Sequence, residues 1–229
     1  MPLRRGYYSE VLAAARSTMY VSAALRDTAI GLGAPPDNTH VVPNGVDLSV
    51  FTPGPADRSP RMLFVGGLAP IKGADRLPEI LEKVLQRVPS AELDVVGVGA
   101  LRPELEAAAQ RLPIRLHGAL PRADVARMMG EASVLLVPSR NEGFGCVVLE
   151  AYACGTPVVA SCVGGLPESV GAEGALVPDD AALLDGIAHH AANVLHGTTD
   201  RAPLLERAAR SSWHHVAQAE LDALGLTAG

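Results

Sequence analysis

Short apolar runs alternate with amphipathic stretches along most of the 229 residues. The runs have the length of buried strands, and the stretches between them repeat apolar residues at the spacing of one helix face. The pattern predicts strands at 17–22, 40–42, 61–66, 92–99, 114–118, 133–138, 157–161 and 174–178. It predicts helices near 7–15, 22–31, 74–88, 101–111, 122–131, 144–154, 181–195, 201–210 and 213–224.

Strands that alternate with helices of this length are typical of βαβ units, so the predicted fold is α/β, a Rossmann-like doubly wound parallel sheet. In such a sheet, ligands bind outside the carboxyl ends of the strands. Five predicted strand ends carry Gly-rich or charged residues, in the stretches GGLAPIKG, GVGA, HGALP, PSRNEGFG and SCVGGLPE. Their convergence predicts a binding site at one edge of the sheet.

The segment 43–60 divides the chain. It is rich in Pro and Gly, and Asn44-Gly45 is a strong turn signal, so it is interpreted as an interdomain linker. The Rossmann-like domain is predicted at 61–200, and residues 201–229 are predicted to form C-terminal helices. Residues 1–42 contain two short strands, too few for a stable sheet. They are interpreted as the remnant of an N-terminal domain.

Composition narrows the class of protein. Apolar residues make up 48% and aromatic residues only 3%, so the core must be built from Val, Leu, Ile and Ala, as in parallel strands buried on both faces. A formal net charge of -6 argues against a nucleic-acid or acidic-membrane surface. No apolar run reaches the roughly 18 to 20 residues of a membrane span, and no signal peptide is recognisable. These features predict a soluble, cytoplasmic protein.

The three cysteines, Cys146, Cys154 and Cys162, lack the spacing of zinc ligands. They are interpreted as small buried hydrophobic residues, and no metal site is predicted.

The stretch GGLAPIKG follows a predicted strand. Gly66 and Gly67 would let backbone amides approach a ligand closely, and Lys72 would present a compact positive charge to a phosphate. The stretch does not match a Walker loop. An ordinary tight turn with a solvated lysine is the alternative.

The stretch PSRNEGFG also follows a predicted strand, with a helix expected to begin close to Gly143. The amides of Gly143, Phe144 and Gly145 would then be free to bind phosphate or sugar oxygens at the positive end of the helix. Glu142 stands beside them. It either contributes to that site or simply caps the helix.

Glu150 lies in the apolar run CVVLEAYAC, four residues from a cysteine on either side. An unpaired carboxylate is costly to bury, so Glu150 either reaches solvent at the helix edge or faces polar ligand groups such as paired hydroxyls. Eight helical steps would separate Glu142 from Glu150 by roughly 12 Å. Because glycosidase carboxyl groups lie roughly 5 to 9.5 Å apart, we expect two contacts along an elongated ligand, such as a nucleotide sugar, instead of a catalytic pair.

An ordered series of motifs covers nearly the whole chain: VSAAL, VVPNGVDLSVF, FVGGLAPIKG, VVGVG, LHGALP, VPSRNEGFGCVVLEAYACGTPVVAS, VGGLPESV and SSWHHVAQ. This series resembles the C-terminal, donor-binding half of the GT-B fold glycosyltransferases of family 4 (group 1), which are retaining enzymes. The resemblance implies that a sugar, of hexose type, is transferred from a nucleoside diphosphate to an acceptor hydroxyl with its anomeric configuration kept.

The resemblance also implies roles for individual residues. Glu150 is similar to the acid that binds the ribose hydroxyls, and Glu142 to the acid that contacts the donor sugar. The amides of Phe144 and Gly145 would hold the sugar or distal phosphate, and Lys72 the diphosphate. Lys72 and Glu142 are therefore the expected catalytic residues.

The stretch around His117 and Gly118 resembles the wall beside the nucleobase, although a strand-end histidine without such a duty is an equal alternative for His117. No metal or other cofactor is implied, because positive groups and helix N-termini neutralise the leaving diphosphate. The chain departs from the family where Gly67 replaces an arginine found in many members.

A second departure is length, because the family's N-terminal acceptor domain is represented only by residues 1–42. The complete activity is therefore expected to need a missing N-terminal half or a partner chain, and self-association is a further expectation. The acceptor is not identified. The alternatives are a non-catalytic nucleotide-sugar-binding or regulatory module and, less favoured, a GT-B fold sugar-nucleotide epimerase.

Overall fold

The computed structural model describes residues 9–55, 57–224 and 226. A helical segment at 9–14 precedes the first strand. The strands are β1 (Thr18–Tyr20), β2 (Thr39–Val41), β3 (Arg61–Val65), β4 (Glu92–Val96), β5 (Ile114–Gly118), β6 (Val134–Val137), β7 (Val158–Ser161) and β8 (Ala175–Val177). The α-helices that follow β1 are α1 (Ala23–Gly31), α2 (Leu77–Leu85), α3 (Arg102–Ala109), α4 (Arg122–Glu131), α5 (Cys146–Ala153), α6 (Leu166–Val170), α7 (Leu183–His196), α8 (Ala202–Arg210) and α9 (Trp213–Ala223).

Six strands form one parallel sheet in the order β5-β4-β3-β6-β7-β8. The order runs outward from β3 in one direction and outward from β6 in the other, which is the doubly wound arrangement predicted from the sequence. The strands β1 and β2 pair separately as a two-stranded parallel sheet.

The large sheet is covered on both faces. Met62 and Phe64 of β3 belong to one core, together with residues of α2, α3 and α7. Leu63, between them, belongs to the second core with residues of α4, α5, α6 and α8. Successive residues of a strand point to opposite faces, so the runs of Val, Leu and Ile supply both layers at once.

The N-terminal elements rest on the large domain through helix α1. Ser22 is its N-cap, and its hydroxyl oxygen accepts a hydrogen bond from the Leu25 amide. Glu168 of α6 accepts hydrogen bonds from the amides of Ala23 (2.9 Å) and Ala24 (3.4 Å). A carboxylate at a helix N-terminus satisfies unbonded amides and interacts favourably with the helix dipole, so Glu168 fixes the N-terminus of α1 to helix α6.

The segment 43–60 is packed against the large domain. Val46 and Phe51 are buried in the second core. Arg58 donates hydrogen bonds to the carbonyl oxygens of Cys154 and Ala132, and Arg201 also donates to Cys154. Burial and the neighbouring Arg201 lower the pKa of Arg58 to about 10. These guanidinium groups satisfy carbonyls just after the ends of α4 and α5.

All eight predicted strands are confirmed, with ends that differ by a few residues. The predicted helices are also present, except that residues 7 and 8 of the first lie outside the described residues. The short helix α6 was not predicted. The domain boundaries stay predictions. None of the helices in the described ranges is long and apolar enough to cross a membrane.

Candidate functional site

The site lies where the strand order reverses. β3 and β6 are neighbours in the sheet although about half of the large domain separates them in sequence. A cavity of about 380 Å³ opens at their carboxyl ends. Its lining comes mainly from the two strand ends and from the loops that follow them, and it includes Gly66, Lys72, Glu142, Gly143, Phe144 and Gly145.

Lys72 and Glu142 meet directly in this cavity. The Lys72 Nζ donates to both carboxylate oxygens of Glu142, at 2.9 and 2.7 Å. The Lys72 side chain is 38% exposed and that of Glu142 is 13% exposed, so the lysine lies on the open side of the pair. The structure therefore brings the two expected catalytic residues together.

Hydrogen bonds from nearby residues hold the Glu142 backbone and side chain. The Gly165 amide donates to the Glu142 carbonyl oxygen at 2.9 Å. Ser139 is buried, and its hydroxyl donates to a Glu142 carboxylate oxygen at 3.4 Å. Ser161 donates in turn to the Ser139 carbonyl oxygen at 2.5 Å. These contacts within the protein fix the position of Glu142.

Five consecutive residues, 143–147, line the cavity beside this pair. Among the described residues, none of their backbone N–H groups donates a hydrogen bond to a protein acceptor. Unbonded amides at the beginning of a helix are a ready site for phosphate or sugar oxygens. The cavity lining thus includes Lys72 and five residues whose amides have no acceptor in the described protein.

Helix α5 begins at Cys146, so the prediction that it begins close to Gly143 is wrong. Gly145 is the N-cap and has φ 88°, a left-handed conformation that an α-helix cannot include and that glycine adopts without strain. Glu142 consequently lies in the loop and not on the helix. The estimate of its distance from Glu150, which assumed eight helical steps, does not apply.

Glu150 lies one helical turn beyond Cys146, partly buried and outside the cavity lining. Within the described ranges its carboxylate makes no hydrogen bond. Burial raises the pKa of Glu150, and the charge of Arg122 opposes that rise. A partly buried, unbonded carboxylate is available to accept hydrogen bonds from a ligand.

His117 and Gly118 do not line the cavity. The His117 Nε2 lies 2.6 Å from Oδ1 of Asp94, a buried residue of β4 whose other carboxylate oxygen lies 3.3 Å from Nε of Arg61. The ring is therefore already bound within the protein. Its assignment to the nucleobase wall stays a prediction, as does that of Gly118.

Gly67 also lies outside the lining, and a Cβ added there would meet no atom within 4 Å. A larger side chain therefore has room at this position.

Asn44 and Cys146 were not predicted as cavity residues. The Asn44 amide nitrogen lies 3.1 Å from the Cys146 sulfur, and burial raises the pKa of the Cys146 thiol. Asn44 was recognised only as a turn residue, and nothing in one sequence shows which loop that turn reaches. The interpretation of all three cysteines as buried is correct for Cys154 and wrong for Cys162, which is exposed beyond the end of β7.

Over the part of the chain that the structure describes, no three His, Cys, Asp or Glu side chains form a cluster that could hold a metal ion.

Residues 59–193 match the family described as "Glycosyl transferases group 1". The chain belongs to the group 1 glycosyltransferase family. The match spans both loops of the cavity, so the ion pair and the free amides lie within the part of the chain that carries the family's features.

Two relatives of this chain are named D-inositol 3-phosphate glycosyltransferase. The one from Kribbella flavida is 37% identical over 220 residues, which cover 83% of this chain and 51% of the relative. The one from Segniliparus rotundus is 41% identical over 155 residues, which cover 60% of this chain and 34% of the relative. The chain thus spans about half or less of the length of these relatives.

Solved structures agree on the fold of the group 1 glycosyltransferase. The sucrose-phosphate synthase of Thermosynechococcus elongatus is 28% identical with a TM-score of 0.80, over 98% of this chain and 61% of that one. Anabaena HepE, solved with UDP and glucose, is 20% identical with a TM-score of 0.64, over 92% of this chain and 68% of that one. These names favour neither the epimerase nor the non-catalytic alternative.

Proposed function

We propose that this chain is the donor-binding half of a retaining glycosyltransferase that takes a hexose from a nucleoside diphosphate sugar. The row of unbonded amides at 143–147, beside the cavity's lysine, carries this proposal. A sugar diphosphate offers many acceptor oxygens and negative charge, which are the features that such amides and a lysine bind.

Each residue then has a task. Lys72 binds the diphosphate and stabilises its charge as it leaves, while the amides of Gly143, Phe144 and Gly145 bind the distal phosphate or sugar. Glu142 contacts the donor sugar. Glu150 accepts hydrogen bonds from the ribose hydroxyls, and the backbone around 117–118 faces the nucleobase. Cationic and amide groups neutralise the leaving group without a metal.

The acceptor hydroxyl is proposed to come to the site from the other half of the enzyme. The relatives are about twice as long as the region they share with this chain, or longer. We place the acceptor-binding residues in that additional part, whether it is supplied by the same polypeptide, by a partner chain or by association of copies. An inositol-type polyol, named in the relatives, is the first acceptor class to test.

Thermal unfolding with UDP, GDP, ADP and their hexose conjugates tests donor binding. At a ligand concentration of 100 times its Kd, the preferred diphosphate, meaning the one with the largest effect, should raise Tm by about 5 to 10 °C. The rise should be the same with EDTA as with Mg²⁺, because no metal is needed. The corresponding nucleoside, which lacks phosphates, is the control. No shift with any of these nucleotides would refute the donor site.

Gly67→Arg should strengthen binding of the preferred diphosphate by about tenfold, the effect of one additional charge-assisted hydrogen bond. The position follows β3 beside Gly66 and has open space around it, so the new guanidinium can extend without displacing protein atoms. Isothermal titration calorimetry measures the change, with Gly67→Gln as the neutral control of similar bulk. Weaker binding by the arginine variant than by the glutamine variant would contradict the proposed location of the diphosphate.

A further inference from the structure

The pairing of β3 with β6 ends before the two loops of the cavity begin. β3 and β6 pair only at Met62 with Val134 and at Leu63 with Leu135. Beyond these pairs the strand ends flank the cavity, which Val65 and Val137 line. The spacing between the loop that carries Lys72 and the loop that carries Glu142 must therefore be set by other contacts.

Arg140 makes most of those contacts. Its guanidinium donates to both carboxylate oxygens of Asp75, each at 2.7 Å, and to the Pro70 carbonyl oxygen at 2.5 Å. Its backbone amide donates to the Ile71 carbonyl oxygen at 2.9 Å. The acceptors lie on both sides of Lys72 in the sequence, so one residue of the Glu142 loop holds the whole turn that presents Lys72.

A second connection runs in the opposite direction. Arg76, next to Asp75, donates to the Pro138 carbonyl oxygen at 2.9 Å and to Asp179 at 2.7 Å. Gly73 lies against the same carbonyl, where a Cβ would overlap the oxygen. The loops thus approach as closely as their backbones allow.

Neither Asp75 nor Arg140 lines the cavity. Their side chains are 32% and 38% exposed, and ion pairs with such exposure contribute little to global stability. Hydrogen bonds from Arg140 lower the pKa of Asp75 below its ordinary value, as expected for a carboxylate that accepts them in its charged form. A bidentate contact between a guanidinium and a carboxylate fixes the relative orientation of the two groups as well as the distance between them.

We propose that Asp75 and Arg140 are positioning residues that hold Lys72 at the distance from Glu142 required to bind the distal phosphate of the donor. The placement of Lys72 stands on the geometry alone, and the phosphate step rests on the proposed function. Arg140 acts through the turn at 70–75 and does not itself touch the ligand.

Acylation of the free protein tests the placement without any nucleotide. Lys72 and Lys83 are the two lysines of the chain, so brief treatment with acetic anhydride and peptide mass spectrometry give a Lys72-to-Lys83 labelling ratio. Asp75→Asn and Arg140→Gln should each raise this ratio at least threefold, because Lys72 leaves Glu142. The double variant should match Arg140→Gln, because the hydrogen bonds to Asp75 are already lost in that single variant. Glu142→Gln, which frees Lys72 directly, marks the upper limit.

The matched control is Arg127→Gln, which removes an ion pair of the exposed face of α4. Its labelling ratio should equal that of the wild type. If Asp75→Asn and Arg140→Gln behave like this control, the positioning role is overturned, whether or not any nucleotide binds.

Calorimetry then tests the phosphate step. Asp75→Asn and Arg140→Gln should each weaken the preferred diphosphate about tenfold, the loss of roughly one charge-assisted hydrogen bond, and leave the matching monophosphate within about twofold. A merely structural role would weaken both ligands equally and is contradicted by that split. If Arg140→Gln weakens the diphosphate while Asp75→Asn strengthens it, Arg140 contacts the phosphate itself and the proposal is wrong. If the wild type binds no nucleotide, the proposed function fails and the labelling ratio alone decides the placement.

Discussion

Lys72→Gln should weaken binding of the preferred nucleoside diphosphate by about a hundredfold, close to 3 kcal/mol, the loss of one or two hydrogen bonds to a charged group. The variant loses the cation that donates to both carboxylate oxygens of Glu142. It also leaves the Glu142 carboxylate without its counter-charge, beside an incoming phosphate. Repulsion then adds to the lost attraction. Isothermal titration calorimetry measures the affinity directly.

Glu142→Gln should have the opposite effect on the same ligand. Without the carboxylate, Lys72 has no internal partner to give up, and binding of the sugar-free diphosphate should strengthen about twofold to fivefold, the worth of a partly exposed ion pair. The sugar conjugate should gain less, because the proposed contact between Glu142 and the sugar is weakened. The two substitutions therefore move the diphosphate affinity in opposite directions.

Lys83→Gln is the matched control for both. It makes the same change at the other lysine, which pairs with Asp185 on the exposed surface. Its affinity for the preferred diphosphate should equal that of the wild type. A loss as large as that of Lys72→Gln would show that general charge and not the cavity lysine governs binding.

Glu150→Gln should weaken the preferred diphosphate by about 10 to 100-fold, because one or two hydrogen bonds from ribose hydroxyls to a charged oxygen are lost. The carboxylate is partly buried and makes no hydrogen bond within the described residues, so a ligand finds it free. The 2′-deoxy form of the diphosphate tells which ligand group is involved. The wild type should prefer the ribose form strongly, and Glu150→Gln should bind both forms alike. An unchanged preference in the variant would refute the ribose assignment.

The raised pKa of Glu150 gives this interaction a pH dependence. As the pH falls from neutral toward the raised pKa, the carboxylate is protonated and the preference for ribose over 2′-deoxyribose should decline. The stability of the fold depends on pH in the opposite direction and should rise as the pH falls. A carboxyl whose pKa is raised by folding lowers stability as the pH rises above its ordinary value of 4.5. Glu150→Gln should therefore have a higher Tm than the wild type at pH 7 to 8. At pH 4.5 and below, the two proteins should have the same Tm.

Much of the fold follows from local patterns in the sequence. Runs such as Val134–Val137 are apolar throughout and bounded by polar or Gly-rich stretches, which is typical of strands buried on both faces. Because such strands alternate with helices, the parallel sheet and its binding edge also follow. Lys72 and Glu142 were placed at that edge for this reason, and the structure brings them into one cavity.

The remaining features depend on contacts between distant residues. Arg140 and Asp75 lie 65 positions apart, and no local pattern shows that their side chains meet. The direct pairing of Lys72 with Glu142 depends on the shapes of two loops. The start of α5 was missed because Gly145 adopts a left-handed conformation, which a glycine permits but does not require.

The segment 165–168, which ends the loop after β7 and begins α6, has two attachments. Its Gly165 amide holds the Glu142 carbonyl oxygen, and its Glu168 carboxylate holds the first amides of α1. The N-terminal elements and the proposed sugar contact are therefore joined through only four residues of chain. A displacement of α1 relative to the large sheet is transmitted through these four residues to Glu142 first, and to Lys72 only afterwards. If the proposed acceptor-binding half contacts the N-terminal elements, its movement should change the proposed sugar contact before it changes the proposed phosphate contact.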